Sequence, residues 1–264
     1  YMPVYRRSNV RMTHGEGAYL IDDNGKHYLD FAAGIAVNAF GHSHPRLVEV
    51  LQKQAARLWH CSNQFMTPEL EEFSQNLVNA TFADSVFFCS SGTEAVEAGI
   101  KFMRRYHYET GAPYRHRIIT FDNGFHGRTY GGISAGGNDY ARVGFGQLLN
   151  GFDRVAFNDI EAVKAAITPN TAGILIEPIQ GEGGIRIPPA GFLEGLRKIA
   201  DDNGLLLIFD EVQAGCGRTG KWFAYQNFGV TPDIMTLAKS LCGGVAGGAM
   251  LAKKEVAASL RPGM

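Results

Sequence analysis

Along this chain, short runs of apolar and mostly β-branched or aromatic residues alternate with stretches whose apolar positions recur every three or four residues. Five such runs predict strands at 85–89, 117–121, 173–177, 205–209 and 248–252, and their continuous apolar character predicts a sheet covered on both faces. The helical spacing predicts helices over 45–60, 68–80, 93–110, 159–167 and 190–203, several of them opening on Pro or an N-cap residue type. Strand then helix, repeated, is the pattern of an α/β domain: a mainly parallel sheet with helices on both faces. The opening of the chain breaks this order, because Gly17 to Asp30 reads as a hairpin turning at Asn24-Gly25, outside the main sheet. The expected division is an N-terminal segment over 1–45 and a large domain over 46–264.

Composition narrows the function. With 264 residues, 45% of them hydrophobic, the chain can bury the core of one large domain. Lys and Arg number 25 against 26 Asp and Glu, a formal charge of −1 that offers a polyanion no attraction, so nucleic acid is not an expected partner. Cys61, Cys89, Cys216 and Cys242 are scattered without a C-x-x-C pair, which argues against a zinc knuckle or dithiol centre and reads as reduced cytoplasmic thiols. No apolar run reaches membrane-spanning length, and the residues after Met2 lack the apolar stretch of a signal peptide. A cytoplasmic protein with no membrane partner is expected. The chain opens on Tyr1 before Met2 and stops at Arg261-Pro262-Gly263-Met264, turn-like residues straight after a helical pattern, where no domain need end. A piece of a longer protein is therefore expected.

In an open α/β sheet, ligands bind beyond the carboxyl ends of the strands. Ser90-Ser91-Gly92-Thr93-Glu94-Ala95 follows the 85–89 strand and opens a long helix, where free amides, hydroxyls and the positive helix end suit a phosphate; an ordinary Ser/Thr cap reads equally well. After 117–121 come Phe125, able to stack on a flat ring, and Arg128, able to bind a carboxylate, although a core Phe and a surface Arg would look the same. Asp210 ends the 205–209 run, where a desolvated carboxylate needs a cationic partner: a protonated pyridine nitrogen or a local arginine. Lys239 follows an apolar approach and precedes the flexible Cys242-Gly243-Gly244, the setting of a desolvated amine able to act on carbonyl groups. Phosphate cradle, aromatic, acid and lysine on one sheet edge together match pyridoxal phosphate (PLP).

Two motifs point elsewhere and are set aside. Gly215-Cys216-Gly217-Arg218-Thr219-Gly220 spells G-x-G-x-x-G, yet these glycines open no apolar helix and no acid-ended second strand follows, so a nucleotide-dependent oxidoreductase is not supported. His42-Ser43-His44 has no companion ligands at metal spacing, and no metal site is predicted.

Taken in order, Ser91-Gly92-Thr93-Glu94-Ala95, Phe125-His126-Gly127-Arg128, Glu177-Pro178-Ile179-Gln180-Gly181-Glu182-Gly183-Gly184, Asp210-Glu211-Val212-Gln213 and Ala238-Lys239 resemble the motifs of the class III (ornithine-type) aminotransferases. Gly34-Ile35-Ala36-Val37-Asn38 and Gly41-His42-Ser43-His44-Pro45 place the resemblance nearest the branch that acts on N-acetylornithine. The resemblance runs along essentially the whole chain. It implies the fold type I large domain, a homodimer with active sites at the subunit interface, and transfer of the side-chain amino group of N-acetylornithine to 2-oxoglutarate, a step of arginine biosynthesis. Another ω-amine donor, such as ornithine, succinylornithine or 4-aminobutyrate, and a catalytically silent PLP-binding fragment are the alternatives.

By the same resemblance, Lys239 would hold the cofactor and move the proton, and Asp210 would keep the pyridine nitrogen protonated. Ser91, Gly92 and Thr93 would hold the phosphate, Phe125 and Val212 would sandwich the ring, Gln213 would meet the phenolic oxygen, and Arg128 and Glu182 would serve the substrate. The 1–45 segment would pack at the small lobe and dimer interface. Ser90, Val96, Cys242 and Val245-Ala246 depart from the family's usual residues. The family also continues past the last residue here, with a Ser-Thr segment reaching the partner's phosphate and a small domain carrying a carboxylate-binding arginine.

Overall fold

The computed structural model describes residues 1–264, whose contacts divide them into two units, Tyr1–Met66 and Thr67–Met264. In the first unit, β1 (Met12–Glu16), β2 (Tyr19–Asp22) and β3 (His27–Leu29) form an antiparallel sheet in that order. The β2–β3 turn is fixed by Asp22, whose Oδ1 accepts the amides of Asn24 and Lys26 at 2.9 Å each, while Gly25 takes a φ of 78° that its missing Cβ allows. The hairpin is thus where the Asn-Gly pair predicts it, with one further strand. After it, α1 (Ala33–Ala36) is a single turn with positive φ at every residue, followed by α2 (Pro45–Ala55). α2 has no buried residue and so enters no sheet core, whereas the next helix does, and the two units divide between them.

In the second unit, the strands are β4 (Ser85–Cys89), β5 (Arg117–Phe121), β6 (Phe152–Val155), β7 (Thr171–Ile176), β8 (Leu206–Asp210), β9 (Ile234–Leu237) and β10 (Gly248–Ala252). They form one sheet in the order β4-β10-β9-β8-β7-β5-β6. All neighbours are parallel except β10, which runs antiparallel to both β9 and β4. The segment between β9 and β10 holds only a single 3₁₀ turn, too little for the crossover that a parallel neighbour needs, so the chain reverses there. The expected mainly parallel sheet is found, with β6 and β9 in addition to the five predicted strands.

Alternation along the strands builds two cores. Ile119, Ile174, Leu207, Phe209, Met235 and Leu251 face one side, packed with Leu77 of α3 (Pro68–Ala80), Val163 of α6 (Ile160–Ala166) and Leu196 of α7 (Phe192–Asn203). Ile118, Leu175, Ile208, Ile234 and Met250 face the other, with Val96, Ile100 and Met103 of α4 (Gly92–Glu109). Both faces being covered explains why the strands lack a polar stripe. α4 lies close on the sheet at Gly173, where a Cβ would collide with the Leu206 carbonyl and the Met103 side chain. The remaining helices are short: α5 (Tyr130–Ala135), α8 (Tyr225–Phe228) and α9 (Lys254–Ala257).

One buried carboxylate serves the fold alone. Glu211 accepts the amides of Ala224 and Tyr225 at 2.6 and 2.7 Å, satisfying the start of α8. Burial pushes its pKa from 4.5 up to about 7, against those two amides, which favour the charged form. The native state then holds this proton more tightly than the unfolded chain does, so Glu211 subtracts stability as pH rises from about 4.5 to about 7. Glu211→Gln removes the titration, and across that interval the variant should gain about 3 kcal/mol relative to the parent protein in urea unfolding. A difference that is constant with pH would mean that Glu211 stays ionised throughout.

Candidate active site

β4, β5, β7, β8 and β9 all point their carboxyl ends to the same edge of the sheet, and each delivers one loop there. From β4, the chain turns through Ser91 into α4. Ser91 Oγ accepts the Glu94 amide at 3.2 Å while Glu94 Oε2 accepts the Ser90 amide at 2.9 Å, a reciprocal cap. The Ser91 hydroxyl is therefore occupied by the helix, which leaves the first-turn amides of Gly92 and Thr93 as the candidate anion donors. A Cβ on Gly92 would lie 2.8 Å from Val212 Cγ1 and 3.1 Å from Ala238 Cβ, and one on Gly127 (φ 100°) would collide with Thr93 Oγ1. The two glycines let the helix end, the 122–128 loop, Val212 and the lysine loop converge.

Lys239 follows β9 with a φ of 51°, the left-handed region that residues with a Cβ rarely adopt, at a cost of about 1–3 kcal/mol. That strain turns the chain into a 3₁₀ turn directly after the strand. Burial holds the lysine amine below its ordinary pKa, opposed by the Glu182, Asp210 and Glu177 carboxylates and assisted by Arg218. An amine so placed can take up and return a proton near neutral pH more readily than a solvated one.

Asp210 ends β8 and is 3% exposed. Its Oδ1 accepts the Val212 amide at 3.1 Å and the Thr236 hydroxyl at 2.9 Å, and its Oδ2 lies 2.7 Å from Nδ1 of the buried His126. Burial alone would lower the His126 pKa, but the hydrogen bond and charge of Asp210, with Glu177 nearby, hold it above the ordinary value. Phe125, half-buried beside His126, has the exposed Arg128 guanidinium 5.9 Å from its ring centroid. Gln213 Nε2 donates to Glu182 Oε1 at 3.0 Å.

Two residues of this edge fall outside the sequence-based candidates. His126 stands in the motif but carries no signal of its own, because its partner is 84 residues away. Glu177 follows β7 as Asp210 ends β8, and the same argument, an acid closing an apolar run, singles it out. It is 3% exposed, and burial pushes its pKa up to about 7, opposed by His126 and by two amides. Elsewhere, Gly215 to Gly220 forms turns and opens no helix, and His42 Nε2 lies 2.8 Å from Asp30 Oδ2.

A family profile described as aminotransferase class III matches residues 1–264. The chain belongs to the class III aminotransferases. It is 55% identical over 262 residues to acetylornithine aminotransferase 1 of Bradyrhizobium diazoefficiens, a match covering 99% of this chain and 65% of that relative. The chain thus spans 65% of the length of the curated relative it matches. Among solved structures, N-acetylornithine aminotransferase from Stenotrophomonas maltophilia superposes with a TM-score of 0.84 at 40% identity, covering 97% of this chain and 65% of that one. An amine transaminase from an uncultivated Pseudomonas species, solved with PLP bound, gives 0.90 at 28% identity, covering 98% and 66%. Both solved structures share the α/β fold described above.

The residues present fit that cofactor. Gly92 and Gly127 leave open the space that side chains would fill at a helix N-terminus suited to a phosphate, Asp210 offers a buried carboxylate, and Lys239 a desolvated amine.

Proposed function

We propose that this class III chain carries the active-site domain of a PLP-dependent aminotransferase that moves the side-chain amino group of N-acetylornithine to 2-oxoglutarate. The observation that carries the reading is the Lys239 amine, desolvated and set electrostatically among Asp210, Glu177 and Glu182 at the sheet edge. The relatives of highest identity reported above, named for acetylornithine, support the choice of donor.

PLP, when bound, supplies an electron sink for negative charge on the substrate carbon. The chain would supply the rest. Lys239 would hold the cofactor, then take the substrate proton and return it. Asp210, fixed by Val212, Thr236 and His126, would keep a proton on the ring nitrogen. Gly92, Thr93 and the Ser91 turn would bind the phosphate, Phe125 and Val212 would enclose the ring, and Gln213 would meet the phenolic oxygen. Arg128 would bind a substrate carboxylate, while Glu182 would lie toward the substrate end. A cytoplasmic homodimer acting in arginine biosynthesis follows from the same reading. No helix is long and apolar enough to cross a membrane.

The test is an absorbance titration with PLP, followed by kcat/KM for N-acetylornithine, ornithine, succinylornithine and 4-aminobutyrate. The expected outcome is specific binding and a preference for N-acetylornithine of about tenfold or more. Binding with preference for another amine would overturn the substrate, and absence of binding would overturn the cofactor.

A further inference from the structure

The loops after β5, β7 and β8 are tied into a closed ring of hydrogen bonds. Asp210 Oδ2 meets His126 Nδ1 at 2.7 Å, and the amide of the adjacent Phe125 donates to Glu177 Oε2 at 2.9 Å. Glu177 Oε1 accepts the Gly181 amide at 3.2 Å, and the next residue, Glu182, accepts from Gln213 at 3.0 Å. One residue back from Gln213, the Val212 amide returns to Asp210 Oδ1 at 3.1 Å. Gln180 adds a strut across the same two loops, its Nε2 donating to the Asp122 carbonyl at 2.8 Å.

Apart from the Gln180 strut, every other side chain in this ring is assigned to the cofactor or substrate, or acts on Asp210. Glu177 is assigned to neither, and it is costly: a buried carboxylate is stabilised less well than an apolar side chain of its size would be. What it alone provides is two acceptor oxygens, one for each loop.

We infer that Glu177 is a positioning residue that locks the Phe125 loop to the Glu182 loop, so that the ring-stacking and substrate-end positions are set together. The inference rests on the PLP reading above, since Phe125 and Glu182 matter through that cofactor and its substrate. A carboxylate spans both amides. An amide side chain presents an oxygen to one and an N–H to the other, and an aspartate keeps the charge but loses the reach.

The experiment compares Glu177→Gln and Glu177→Asp with the parent protein by two readouts. One is the PLP dissociation constant from absorbance titration, which needs no turnover. The other is the ratio of kcat/KM for the amino donor to that for 2-oxoglutarate, with thermal melting as a control. Both variants should weaken PLP binding by about tenfold and shift the ratio by about tenfold, since each loses one hydrogen bond to a charged group. Lower melting temperatures with both constants unchanged would overturn the inference by making Glu177 merely structural. A change in only one constant would show that the loops are not coupled, and full rescue by Glu177→Asp would show that charge, not reach, is what counts. Failure of the parent protein to bind PLP would appear before any variant is compared, and would remove the cofactor reading and this inference together.

Discussion

Replacing Lys239 with alanine should lower turnover by about 10⁴-fold, while the melting temperature stays near that of the parent protein. The first expectation follows from chemistry: Lys239 is the amine proposed both to hold the cofactor and to move the proton, and proton transfer by a placed base contributes up to about 10⁴-fold on its own. The second follows from placement. The amine is desolvated, the chain at Lys239 is strained at a φ of 51°, and alanine keeps that backbone problem without adding to it. If Lys239 holds the cofactor as proposed, borohydride should fix a cofactor label onto the Lys239 peptide of the parent protein, and the same variant should lose it. Activity within about tenfold of the parent's would place the reacting amine elsewhere.

Asp210→Asn should reduce kcat/KM by about 10²–10³-fold, the cost of removing one preorganised charge from a buried reacting centre. Shape is nearly preserved, so the Val212 amide can still find an acceptor, but the charge proposed to favour a proton on the ring nitrogen is gone. The buried His126 provides an independent readout. With Asp210 present, its pKa is raised, so its contribution to stability is complete below the unfolded-state value of 6.5 and is lost as pH climbs through the native one. In the asparagine variant the native value should fall, and the stability lost between mildly acidic and alkaline pH should shrink. Histidine titration by NMR together with urea unfolding across that range checks both statements. An unchanged His126 titration would show that another group holds the histidine's proton.

The two variants also separate the roles of neighbouring groups. Lys239 faces Asp210, Glu177 and Glu182 electrostatically, so removing its charge leaves three carboxylates with less compensation. Removing the Asp210 charge relieves Glu177, whose pKa Asp210 raises, but frees His126 to lose its proton. In the Asp210 variant the two effects on Glu177 therefore oppose each other, the lost carboxylate lowering its pKa and the lost His126 charge raising it.

Much of this site was legible in the residues, and the reasons differ from one to the next. Asp210 declares itself because an acid at the end of Leu206–Asp210 has no cheap way to be buried. Lys239 declares itself by its apolar approach, though the strand Ile234–Leu237 behind it is legible only as that approach, being four residues long. Glu177 has the same signature as Asp210, yet it is overshadowed by Glu182 in the glycine-rich loop. The Ser91 hydroxyl could serve a phosphate or a helix cap, and the fold uses it for the cap. The edge strand Phe152–Val155 is too short and too mixed in polarity to be distinguished from a loop.

The sequence by itself determined the elements and the chemical types: continuous apolar strands, amphipathic helices, an amine, an acid, an aromatic and a glycine-opened helix start, in a family-specific order. These are local properties, set by side-chain size, polarity and spacing within a dozen residues. Only the tertiary structure decided which of them meet. The order β4-β10-β9-β8-β7-β5-β6 brings Thr236 and His126 to the two carboxylate oxygens of Asp210, and makes one ring of loops that lie far apart along the chain. Strand order and the raised or lowered pKa values that follow from it depend on burial between distant segments, and no local pattern carries that information.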